Sequence, residues 1–107
     1  EQIQAVDISK EIVSTEKETF LLNNEMQQKE AENDIDKYAA MLLKDSEIIG
    51  LREKVLEATT SQLQNGAITS SEYITELNNL FEAKIDQQLH EVQLALAKAN
   101  YKVIKGN

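Results

Sequence analysis

His90 is the only histidine in the chain, and no cysteine is present. A metal site assembled from several imidazoles or thiolates of one chain is therefore excluded. His90-Glu91 does not open an HExxH motif, because Leu94 stands where the second histidine would be. Asp86 lies one helical turn before His90, a spacing that could bind a metal weakly. The ordinary reading of such a pair is two solvent-exposed neighbours on one helix face. Glu30, Glu32, Asp34 and Asp36 are scattered around a helix and read as a solvated region. The Ser and Thr residues near the middle of the chain have no base partner for nucleophilic catalysis. Gly50, Gly66 and Gly106 stand alone, so there is no glycine-rich phosphate loop. These residues point to no catalytic, cofactor-binding or metal-ligating role, and the expectation is a protein that is not an enzyme.

The most distinctive residues instead form the one strong break in a helix-forming sequence without proline. Gly66 supplies the left-handed conformation that commonly ends a helix, which places the end of helix one near Asn65. Thr69 and Glu72 stand in the S/T-x-x-E relation of a capping box, so helix two begins there. Ile68 before the cap and Tyr73 inside the helix occupy the positions of a hydrophobic staple. The loop between the helices is about three residues long, a tight antiparallel hairpin. Helix one is expected over about residues 2–64, the tip over 65–69 and helix two over about 70–104, all within one unit of residues 1–107.

Composition agrees with helices rather than a globular core. The 107 residues include two Phe, three Tyr and no Trp, too few bulky side chains for a compact interior. Glu, Gln, Leu, Ala, Lys and Ile dominate, which suits long helices and coiled coils. A formal charge of −8 argues against nucleic acid as a partner, since binding phosphate backbones needs clustered Lys and Arg. No apolar run approaches the roughly 20 residues of a membrane-spanning helix. The chain opens on Glu1-Gln2-Ile3-Gln4, already in helical pattern, and reads as a piece of something larger.

In helix one, Leu21, Gln28, Ile35, Leu42, Ile49, Leu56 and Leu63 fall seven apart. Val6, Val13, Phe20, Gln27, Asp34, Met41, Ile48, Val55 and Gln62 form an adjacent column. A seven-residue repeat kept this long favours left-handed supercoiling. The column Tyr38, Asp45, Arg52 and Thr59, where a second apolar seam would normally lie, is mostly polar, so a broad and partly wet seam is expected. In helix two, Ile74, Leu77, Phe81, Ile85, Leu89, Val92, Leu96, Ala99 and Val103 trace one face, beside a second column of Tyr73, Leu80, Gln87, Leu94 and Tyr101. That apolar surface is wider than one partner helix can cover, so helix two expects contacts on two sides.

The fold class that follows is all-α, a long antiparallel helical hairpin or coiled coil with unequal arms. Folding helix two back about the tip sets Leu56 near Leu80, Leu42 near Leu94 and Ile35 near Tyr101. The hairpin then runs out of partner near residue 30. Ile3, Val6, Ile8, Ile12, Val13, Phe20, Leu21, Leu22 and Met26 have no intrachain cover, which forfeits about 1.5–3 kcal/mol for each larger side chain left in water. Self-association of the chain through residues 1–30 is the expected consequence.

From Asp45 to Asn107 the chain resembles the second-repeat periplasmic hairpin of TolC-family outer-membrane efflux proteins. The resemblance rests on Asp45-Ser46-Glu47-Ile48-Ile49-Gly50-Leu51-Arg52, on the run from Gln62 through Gly66 and Tyr73 to Asn78, on Leu89-His90-Glu91-Val92-Gln93-Leu94, and on Asn100-Tyr101 followed by Gly106-Asn107. Upstream, Glu18-Thr19-Phe20-Leu21-Leu22-Asn23 is similar to the branch of that family found in Bacteroides-like bacteria. The resemblance implies a homotrimeric tube of a Gram-negative bacterium, with a β-barrel in the outer membrane and an α-helical barrel in the periplasm. It implies parent-protein helices around this hairpin, a periplasmic adaptor (membrane fusion) protein, an inner-membrane transporter, and transport of drugs, toxins or proteins without bond chemistry. Under it, Gly66, Ala67, Ile68, Thr69, Ser70, Ser71, Glu72 and Tyr73 form the adaptor-docking entrance. The chain departs from the family where some members carry a basic residue two places after the tip glycine, since Ile68 stands there. That favours an apolar docking contact over a charge-bridge latch. The heptads alone serve equally a free-standing coiled-coil module, such as an adaptor hairpin or scaffold segment.

Overall fold

The structure is a computed structural model that describes the backbone of residues 2–106 and the side-chain surroundings of residues 8–106. Ile3 and Val6, expected in the uncovered stripe, lie outside the described side chains. The chain is all-α: helix α1 spans Gln2–Gln64 and helix α2 spans Ser70–Lys105, packed against each other as an antiparallel hairpin. Helix α1 has 63 residues, and at a rise of about 1.5 Å per residue its length alone accounts for the 95 Å long axis of the molecule. The other two extents, 22 and 14 Å, are those of a pair of helices.

The seam between the helices follows a strict alternation of three- and four-residue steps. On α1 it comprises Ala31, Ile35, Tyr38, Leu42, Asp45, Ile49, Arg52, Leu56, Thr59 and Leu63, all buried or half-buried. On α2 it comprises Tyr73, Glu76, Leu80, Ala83, Gln87, His90, Leu94, Ala97, Tyr101 and Ile104, again all buried or half-buried. This is the coiled-coil repeat, which keeps two helices in contact only if they wind gently around each other.

The seam is partly wet, as the polar column on α1 leads one to expect. Ile48 and Val55 are exposed and Met41 is half-buried, while the polar column Tyr38, Asp45, Arg52, Thr59 forms the second side of the seam; Asp45 and Thr59 are only 7% and 6% exposed. On α2, the column of Leu80, Leu94 and Tyr101 faces α1, as the fold-back register expects, and the other apolar stripe is turned away. Ile74, Phe81, Ile85, Leu89, Val92, Leu96 and Val103 are 52–78% exposed, whereas Leu80 in the second column is 5% exposed. The physical reason is polar matching. Small residues such as Ala83 and Ala97 stand on this face of α2, and two members of the α1 column, Asp45 and Arg52, find partners there in His90 and Glu76. Among the described residues no buried side-chain nitrogen or oxygen lacks a hydrogen-bond partner.

Pairing fades below residue 31. Ala31 is 2% exposed and the Tyr101 hydroxyl donates to Glu32 Oε1 at 3.3 Å, Asn24 and Gln28 are half-buried, and residues 8–23 are exposed throughout. Ile8, Ile12, Val13, Phe20, Leu21, Leu22 and Met26 thus have little or no cover, as the unequal arms require.

Candidate docking tip

The tip is built from local interactions spanning no more than a few residues. The Gly66 amide donates to the Leu63 carbonyl at 3.0 Å, and the Ala67 amide to the Gln62 carbonyl at 2.8 Å. These are the paired bonds of a Schellman motif, which satisfies the last carbonyls of α1 and requires a left-handed residue at Gly66. Gly66 has φ of +74°, a value that side-chain-bearing residues rarely adopt. Three residues later Thr69 is extended, with φ −87° and ψ 160°, and caps α2. Its hydroxyl accepts the Glu72 amide at 3.1 Å, and the Thr69 amide donates to Glu72 Oε2 at 3.3 Å. Thr69 and Glu72 therefore have a structural role before any other is assigned.

Gly66, Ala67, Thr69, Ser70, Ser71 and Glu72 are exposed, and Ile68 and Tyr73 are half-buried. All eight residues lie in one contiguous turn at the far end of the hairpin from the chain termini. The partial cover of Ile68 and Tyr73 accords with a staple, and Tyr73 is also the first seam residue of α2. Chemically the tip offers hydroxyls, one carboxylate already engaged in capping, and a half-buried isoleucine.

The polar site that the sequence reading missed lies mid-hairpin. His90 Nδ1 hydrogen-bonds Asp45 Oδ2 at 2.5 Å, with side chains 22% and 10% exposed. His90 was expected to neighbour Asp86 on the solvent side; it turns instead into the seam, because a buried carboxylate without a partner would be costly there. The signal was available. The register that sets Leu42 near Leu94 places Asp45 opposite His90 to within one residue. The ion pair Arg52–Glu76, at 3.9 Å, lies within the seam and Lys84–Glu53, at 4.0 Å, beside it, both partly exposed. Thr59 satisfies its own hydroxyl by donating to the Val55 carbonyl at 2.6 Å. Among the described residues no group of three His, Cys, Asp or Glu side chains could hold a metal ion, and no helix is long and apolar enough to cross a membrane.

No protein-family model, curated protein or solved structure matches the chain.

Proposed function

We propose that the hairpin is a wall element of a helical tube, the periplasmic α-barrel segment of an outer-membrane efflux or export channel of the TolC type. The observation that carries this reading is the pair of opposed faces on α2. One face meets α1, and the other leaves Ile74, Phe81, Ile85, Leu89, Val92, Leu96 and Val103 in solvent. A helix with apolar stripes on two sides belongs between two neighbours, which is the position of a stave in a wall. The overhang of α1 beyond α2 supports the same reading, because a longer helix then continues past the hairpin toward other parts of a parent protein. In this proposal parent helices cover both surfaces, three protomers complete the tube in the periplasm, and no bond chemistry is performed.

The turn from Gly66 to Tyr73 is then the entrance where a periplasmic adaptor, itself coupled to an inner-membrane transporter, docks on Ile68 and its neighbours. The test uses the full-length reading frame. Ile68→Asp leaves the Schellman bonds and the cap intact, so hairpin stability should change by less than about 1 kcal/mol. It places a new charge at the docking surface of each protomer, and adaptor crosslinking and export should fall well below wild type. Gly66→Val should instead lower stability through its positive φ. If Ile68→Asp leaves export and crosslinking at wild-type levels while Gly66→Val unfolds the turn, the tip is only a turn and the docking assignment fails.

A second reading, a free-standing coiled-coil interaction or scaffold module, is favoured by the completeness of the hairpin's own caps at Gly66, Thr69 and Gly106. Amphipathic β-strands elsewhere in the full reading frame would exclude it, and a short frame without them would exclude the channel.

A further inference from the structure

Asn65 is the sole asparagine of the chain followed by glycine, and both residues are exposed at the tip. The pair carries a chemistry of its own. The backbone nitrogen after an asparagine can attack that residue's side-chain amide, and a glycine leaves the nitrogen unscreened because it has no Cβ. Space is open around Gly66: a Cβ there would meet no atom within 4 Å, so water reaches the bond. The asparagines inside the helices are followed by larger residues, as Asn24 is by Glu25, Asn79 by Leu80 and Asn100 by Tyr101. In each of these the attacking amide is also held in the hydrogen-bond ladder of its helix.

At the tip the fold opposes what the sequence favours. The Gly66 amide, which would have to attack, donates to the Leu63 carbonyl at 3.0 Å. The Asn65 amide donates to the Ser61 carbonyl at 3.1 Å and the Ala67 amide to the Gln62 carbonyl at 2.8 Å, so the chain is fixed on both sides of the reacting pair. While a carbonyl holds its proton, the Gly66 nitrogen neither loses that proton to solvent base nor turns toward the Asn65 side chain. Reaction waits for the turn to open. Opening here is local, because Asn65 lies just beyond Gln64, the last residue of α1, and helix ends are the first parts to fray.

We propose that Asn65 is a deamidation site whose rate is set by opening of the tip. In the opened turn the Gly66 nitrogen gives its proton to solvent base and bonds to the Asn65 Cγ. The bond from Cγ to the side-chain nitrogen breaks, and that nitrogen takes a proton from water and leaves as ammonia. Water then opens the cyclic imide at either carbonyl, giving aspartate or isoaspartate at position 65. Either product alters the turn. A carboxylate replaces a neutral amide at the C-terminal end of α1, the negative end of the helix dipole. Isoaspartate also adds a methylene to the main chain between Gln62 and Ala67, and the hydrogen bond that joins them loses its span. The modification thus loosens the turn that had restrained it. None of this depends on whether the turn docks an adaptor.

The test is peptide mapping by mass spectrometry after incubation in mildly alkaline buffer, with chromatographic separation of the aspartate and isoaspartate products. In guanidinium chloride that unfolds the chain, Asn65 should convert faster than every other asparagine. In the folded chain the same conversion should be at least about tenfold slower, since only the open fraction of the turn reacts. Ala67→Pro keeps the reacting pair and removes the amide that bonds Gln62, so with helix content retained its conversion should be about fivefold faster than in the folded wild type. Gly66→Val, compared with wild type in denaturant so that folding plays no part, should all but stop conversion, because the branched side chain screens the nitrogen. Equal rates in the folded and unfolded wild type would overturn the control by the turn, and so would an Ala67→Pro rate no higher than wild type. Conversion at Asn65 no faster than at Asn24 or Asn79 in denaturant, or unaffected by Gly66→Val, would overturn the site itself.

Discussion

The two faces of α2 present opposite chemistry. The face that holds the hairpin together carries Glu76, Ala83, Gln87, His90 and Ala97 among its ten seam positions, whereas the outer face is lined by Ile, Leu, Val and Phe and is left in water. By apolar area alone α1 would pack on the other side, since fully burying each such side chain is worth about 1.5–3 kcal/mol. The inner contact therefore combines apolar burial at Ile49 and Leu80 with polar pairing of Asp45 to His90 and Arg52 to Glu76. Asp45 can be buried only where His90 meets it, and the α1 column of Tyr38, Asp45, Arg52 and Thr59 has no such match among the side chains of the outer face. The large apolar surface then remains available for a second neighbour. A hairpin built this way is specific but modestly stabilised from within, and much of its apolar burial awaits association.

The comparison breaks most visibly at the buried pair. His90→Ala should cost about 3 kcal/mol, because it leaves the Asp45 carboxylate in the seam without its partner. Replacing both, Asp45→Leu with His90→Leu, should restore or exceed wild-type stability, since well-packed apolar residues often outperform a buried polar pair. Urea melts at dilute concentration supply the double-mutant cycle. If His90→Ala melts like wild type, polar matching does not select the inner face.

A smaller contrast separates the two faces directly. Leu80→Ala should lose about 2–3 kcal/mol, at the lower end for core truncations because a two-helix seam has little depth to leave as a cavity. Leu89→Ala, chemically the same change on the outer face, should stay within about 0.5 kcal/mol in the same dilute melts. Equal losses from both variants at low concentration would mean that the outer face is already buried in the monomer.

The smallest effect belongs to the rim. Lys84→Ala removes an ion pair to Glu53 whose two side chains are about half exposed, and thermal stability should fall by less than about 0.5 kcal/mol. A larger loss that vanishes in high salt would show that charges at the rim, and not the buried pair, hold the register.

The hairpin, its tip and its unequal arms were legible in the residues because each depends on short-range rules. A glycine ending a helix, a threonine three residues before a glutamate and a seven-residue repeat act within a few residues of chain, and the register follows from the shortness of the turn. Those local rules also revealed that Ile8 to Met26 would outrun their partner. The fold-back register also set Leu80, Leu94 and Tyr101 inward; what it did not yield was the side-chain pairing inside the seam. Ile48 and Val55 are apolar and exposed; Asp45 and Thr59 are polar and buried, and the sequence alone does not say which partner each buried polar group meets. That pairing is made only when the two helices are set side by side and His90 reaches Asp45, 45 residues away in sequence, for the stability of a buried polar group depends on its partner across the interface and not on its own sequence neighbours.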